Sequence, residues 1–163
     1  MTTPSETEQQ FVEGVRQYLN ALHTPLLAEL RQLIALPLPD DLAVLSFEVF
    51  SDGFTDRFPV VAYPMDSEAS QLNWPELGEG DELLKGAVTY PESFEESFKV
   101  RGRFPFDAWS LATHNALIPW FAQVWLEAGG GAFPIPATIG HHDGAEEFNL
   151  QTGEWQDVNS LFE

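Results

Sequence analysis

No cysteine occurs in this 163-residue chain. Disulfides, thiolate metal sites and cysteine nucleophiles are therefore excluded, which tilts the balance toward a reducing compartment. Basic residues are scarce as well. Seven Lys and Arg stand against 26 Asp and Glu, for a formal net charge of −19. Such a charge repels nucleic acid and anionic membrane surfaces, so neither is expected as a partner. Long hydrophobic runs are missing too: no stretch approaches the ~18 apolar residues that span a bilayer. Met1 to Gln10 carries neither the basic region nor the apolar stretch of a secretory leader, and a cytoplasmic location is expected.

What is present supports a folded domain. Hydrophobic residues make up 44% and aromatics 13%, enough to exclude wholesale disorder despite the charge. The length fits one domain over residues 1–163 that buries roughly 70% of its unfolded surface. The charge is unevenly spread. Phe104 to Glu163 contains no Lys or Arg. Nine carboxylates (Asp66, Glu68, Glu76, Glu79, Asp81, Glu82, Glu92, Glu95 and Glu96) face Lys85 alone in an excursion over residues 65–97 that is also rich in Gly and Pro. Lys99, Arg101 and Arg103 then hold three of the seven basic residues.

Periodicity sets the expected elements. Thr3, Pro4, Ser5 and Glu6 read as a capping box for a helix that buries Phe11, Val15, Tyr18, Leu19 and Leu22. A second helix runs from Thr24 to Leu36, where Pro37 and Pro39 stop it. Leu42 to Phe50 alternates as a strand. Asp52 and Gly53 make a hairpin loop, and Phe58 to Tyr63 returns, with Pro59 delaying its start. The acidic excursion, long enough to be functional, offers one short helix at Asp81 to Lys85. Phe98 to Arg103 reads as a strand. Asp107 caps a helix rich in Trp and Leu, which Pro119 should kink near Asn115 and Gly129 to Gly131 end. The rest reads as a β-meander: Phe133 to Ile139, Glu147 to Leu150 and Glu154 to Val158. The fold expected is α+β: an N-terminal helical pair, a mainly antiparallel sheet, the Trp-rich helix packed on it and the C-terminal meander.

Chemistry-bearing residues are few. His141, His142 and Asp143, near Glu146 and Glu147, form the one dense group of metal-type ligands. Strand alternation would place His141 and Asp143 on one face, with His114 or Glu147 completing a zinc shell. The competing reading is a polar turn built on Asp143 and Gly144. His114 lies among Trp and Leu, where an interior histidine is more often paired than catalytic. Lys99, Arg101 and Arg103 would line one strand face, either holding an anion or neutralising part of the acidic surplus. No nucleophile elbow and no phosphate-binding loop is present, and Gly129 to Gly131 follow a helix, at the wrong end of its dipole for phosphate. Asp40 with Asp41 and Glu146 with Glu147 are adjacent pairs that diverge on a strand, which argues against a glycosidase.

Two segments carry a resemblance. One runs from the apolar helix at Asn115 through the Gly-rich break and Phe133, the strand into His142 and Asp143, and Phe148 to Leu150, to the turn before Trp155. The other is Leu45 to Tyr63, a strand, an Asp-Gly turn and a strand. Over about half the chain the sequence resembles small acidic bacterial proteins of unknown function, some of which sit beside toxins as immunity proteins. The resemblance carries no site residues. The −19 charge, the base-free last third and the missing catalytic motifs point to a non-enzymatic, cofactor-free binding protein, and the resemblance makes it immunity-like in style. The net charge makes the expected partner a basic protein. The residues expected to carry that binding are Glu76, Glu79, Asp81, Glu82, Glu95, Glu96, Lys99, Arg101 and Arg103. The alternative is a metal-dependent hydrolase centred on His141 and Asp143.

Overall fold

A computed structural model describes residues 5–50, 59–78, 80–84 and 97–162. It is an α+β structure in which a helical layer covers one face of a six-stranded mixed sheet. Helix α1 spans Glu6–Asn20, with the hydroxyl of Ser5 accepting from the amide of Glu8 at 3.1 Å. Helix α2 spans His23–Ile34 and buries Leu26, Leu30 and Leu33. Both follow the apolar spacing of the sequence.

Strand β1 (Val44–Val49) pairs antiparallel with β2 (Val60–Met65), which starts just after Pro59. The expected Asp52-Gly53 loop between them lies outside the described residues. The other neighbour of β1 is β4 (Ala137–His141), and that pairing is parallel, with Phe47 opposite Ile139 and Val49 opposite His141. Strands β5 (Glu146–Asn149) and β6 (Glu154–Asp157) continue from β4 as an antiparallel meander. Among the described residues the sheet order is β3 (Asp81–Leu83)-β2-β1-β4-β5-β6, with the parallel pair at its centre.

Three expected elements differ. Residues Asp81–Leu83 form strand β3, paired to β2, where a helix was expected. Leu83 opposite Val60 is buried by this pairing, whereas a helical turn would place it beside solvated carboxylates. Phe98 to Arg103 is not a strand. Val100 and Arg103 bond each other across a tight turn, and Arg101 and Gly102 both have positive φ, +53° and +78°. That is the backbone of a type I′ turn, which brings Phe98 and Phe104 together on Phe11. The strand expected from Phe133 starts only at Ala137. A 3₁₀ turn occupies Gly130–Ala132, and Pro134 and Pro136 have no amide to give a ladder.

The Trp-rich segment is helical, and a π-helix occupies the stretch around Asn115 where a kink was expected. An α-turn (Ala108–Ser110) leads into a π-helix (Leu111–Leu117) and then α3 (Ile118–Glu127). In an α-helix the amide at 119 would bond the carbonyl of Asn115, but Pro119 has none. Arg16 of α1 fills the gap, its Nη2 donating to that carbonyl at 2.8 Å.

Phe47 packs against Phe121 and Trp125 at centroid distances of 4.8 and 5.6 Å, fixing which sheet face meets the helices. Leu45, Phe47, Val49, Val60, Ala62, Ala137 and Ile139 share that buried face. The excursion is tied down where it is described. Trp74 is fully buried and donates its indole N–H to the carbonyl of Pro37 at 2.8 Å. The amide of Leu84 bonds Glu29 of α2 at 2.9 Å. Among the described residues, no helix is long and apolar enough to cross a membrane.

Candidate functional site

A cleft of about 600 Å³ opens where the helical layer meets the outer strands. Strand register builds one wall. Phe148 lies opposite Trp155 and Glu146 opposite Asp157, so these four share a face with Ile139 and His141. The π-helix supplies the other wall through His114 and Asn115, and the turn at Gly144 and Ala145 forms the rim. That turn needs glycine: a Cβ on Gly144 would lie 2.9 Å from the carbonyl oxygen of His141.

His114 is positioned from its own helix. Ser110, one turn earlier, places its Oγ 3.2 Å from Nδ1. The ring meets the indole of Trp155 edge-on at 5.3 Å, and Trp155 meets Phe148 at 5.5 Å. Burial holds the imidazole of His114 below the ordinary histidine value, and the nearby charge of His141 pushes it the same way. Asp107 and Glu146 oppose the shift. Neutral histidine is thus favoured in the cleft. Wide π-turns frequently occur at functional sites, and this one carries a cleft residue.

The turn after β4 separates His141 from Asp143. The strand ends at His141, and Asp143 sits at φ +61° with its carboxylate 3.4 Å from Nε2 of His142. His142 stacks on Phe50 at 4.3 Å and lies 3.6 Å from Glu48. His141 faces the cleft with His114 instead. Among the described residues no three His, Cys, Asp or Glu converge to hold a metal ion.

The acidic residues expected to bind are divided. Glu76 and Asp81 line a smaller cleft of about 210 Å³ with Glu29, between the excursion and α2. Glu82 faces Val61 across the β2–β3 ladder. Glu79, Glu95 and Glu96 lie outside the described residues. The tight turn breaks the shared face expected of the basic trio. Arg101 is exposed at its tip, Lys99 lies 5.3 Å from the Phe104 ring, and Lys99 and Arg103 flank a shallow cleft beside Asp107.

Trp155, Glu146 and Asn115 were not singled out from the sequence as site residues. A tryptophan between Glu154 and Asp157 on a short strand was the available signal. The chain matches no protein-family model, and no curated protein or solved structure matches it either.

Proposed function

We propose that this chain is a cytoplasmic, non-enzymatic binding protein that recognises a basic protein partner, in the style of an immunity protein. The observation that carries this reading is the C-terminal surface. Trp155, Val158 and Leu161 leave 42%, 43% and 37% of their area exposed. Exposed carboxylates of Glu154 and Asp157 flank them along the chain, Glu146 lies opposite Asp157, and the chain has no Lys or Arg beyond Arg103. Apolar anchors inside a charged rim are the anatomy of a protein interface, and a rim of one sign selects a partner of the other. The acidic cleft at Glu76 and Asp81 extends the same bias to a second face. The metal-dependent hydrolase reading has two imidazoles and Glu146 lining the main cleft, but among the described residues they do not converge into a three-ligand group. Binding is therefore the better supported of the two.

The test is capture on the immobilised chain at about 50 mM and about 500 mM salt, conditions that differ strongly in screening. The expected result is a basic protein retained at low salt, released at high salt, and lost from a rim variant combining Glu154→Gln, Asp157→Asn, Val158→Ser and Leu161→Ser. Retention of nothing at low salt, or equal retention by the rim variant, overturns the reading.

A further inference from the structure

We infer that the cleft between the π-helix and strands β4 to β6 is a seat for an arginine side chain of the partner. The inference rests on the binding reading above and names the chemistry of its central contact. Trp155 supplies a partly exposed indole, on which a planar guanidinium stacks favourably. Glu146 supplies a carboxylate on the same sheet face, suited to paired N–H donation. No Lys or Arg of the described residues pairs with Glu146, and none lines the cleft. Asn115 adds a neutral amide. His114, kept neutral by its surroundings, contributes no opposing charge near pH 7. At about 600 Å³ the cleft also admits residues flanking the arginine.

An anion would find the opposite conditions. It would meet Glu146 inside the cleft and Asp157 beside it on the sheet, against a His114 imidazole kept neutral by burial. Acid should reverse the preference for a cation. The groups facing His114 are His141 from β4, Asp107 from its own helix and Glu146 from β5. Protonating His114 places positive charge where the guanidinium would sit, so arginine affinity should fall as pH drops below 6.5.

The test is a titration of the whole chain with acetyl-Gly-Arg-Gly-amide, followed through the indole N–H resonance of Trp155. Saturable shifts are expected at Trp155, His114 and Glu146, with a Kd of about 1 mM, as befits one side chain. Glu146→Gln and Trp155→Leu should each weaken binding about tenfold, with unchanged far-UV spectra. The lysine peptide should bind more weakly, choline more weakly still, and the glutamate peptide not at all. Affinity should hold above pH 6.5 and fall as pH drops below it, where His114 takes up its proton. Unchanged affinity in Glu146→Gln, shifts confined to another face, or an equal response to the glutamate peptide would falsify the seat. If capture of a basic protein by the rim persists in that event, the binding function survives without this contact. If capture fails as well, both ideas fall.

Discussion

Arg16 of α1 donates to the backbone carbonyl of Asn115, 99 residues away, at 2.8 Å. The bond is needed because Pro119 leaves that carbonyl without its helical donor. Arg16→Ala should destabilise the chain by about 1 kcal/mol, the low end for a charged donor because the bond is exposed. Restoring an amide with Pro119→Ala should cut that cost by at least half. Urea unfolding of the two single variants and the double variant measures the coupling, and additive costs would show that the proline is not the cause.

Gly130 touches the indole of Trp125 face to face. A Cβ there would lie 2.2 Å from Trp125 Nε1, and Trp125 is fully buried against Phe47 and Phe133. The indole has nowhere to go, so Gly130→Ala should cost about 3 kcal/mol. Gly131→Ala is the control, since its Cβ would meet only Leu126 at 3.8 Å. Thermal unfolding by circular dichroism should show a large drop in Tm for the first and little for the second.

Trp74 holds the acidic excursion to the end of α2. Its side chain is fully buried and its N–H bonds Pro37. Trp74→Ala should cost about 4 kcal/mol and Trp74→Phe about 2 kcal/mol, the smaller loss reflecting the hydrogen bond and some volume. Denaturant midpoints decide this. A cost below about 1 kcal/mol for the alanine variant would mean that the excursion adds little to the core.

His114 makes the fold sensitive to mild acid. Its folded value lies below the ordinary 6.5, through burial first and His141 second. Below pH 6.5 the unfolded chain takes up a proton that the folded chain excludes. The stabilisation is therefore complete above that pH and is lost as pH falls through the folded value. Replacing the residue by His114→Gln should flatten the slope of stability against pH just below 6.5. An unchanged slope would assign the acid sensitivity to other groups.

Much of the fold was legible in the sequence, for local reasons. The spacing of Phe11, Val15 and Leu19 and the prolines after Leu36 mark α1 and α2 to within a few residues. Strands β1 and β2 alternate, and β5 and β6 are set off by turn residues. What failed lacked a local signature. Asp81–Leu83 is too short to show a period and is a strand only because β2 lies beside it. Arg101 at positive φ is uncommon for a residue with a Cβ, so basic residues at every second position read as a strand. The π-helix differs from an α-helix by one residue per turn, and composition does not record that difference.

The site was legible only in parts. His114 and His141 each stood out as single residues. Nothing along the chain places a helix residue beside a strand end 27 positions later. Tryptophan is highly buried on average, so nothing marks Trp155 as a surface residue, and here four-tenths of it faces solvent.

The central β1–β4 pairing joins Leu45 to Ala137 and Val49 to His141. Residues this distant must find each other across the whole intervening chain, which slows folding and leaves β1 with a bare edge until β4 arrives. During synthesis that edge is the last to be covered, since β4 emerges after both helices of the N-terminal pair and after α3. A chain truncated ahead of Ala137 would keep β1 unpaired on one side, a flat template carrying Leu45, Phe47 and Val49 for other copies to join. The C-terminal meander is thus also a guard against self-association, and its loss should be seen first as aggregation.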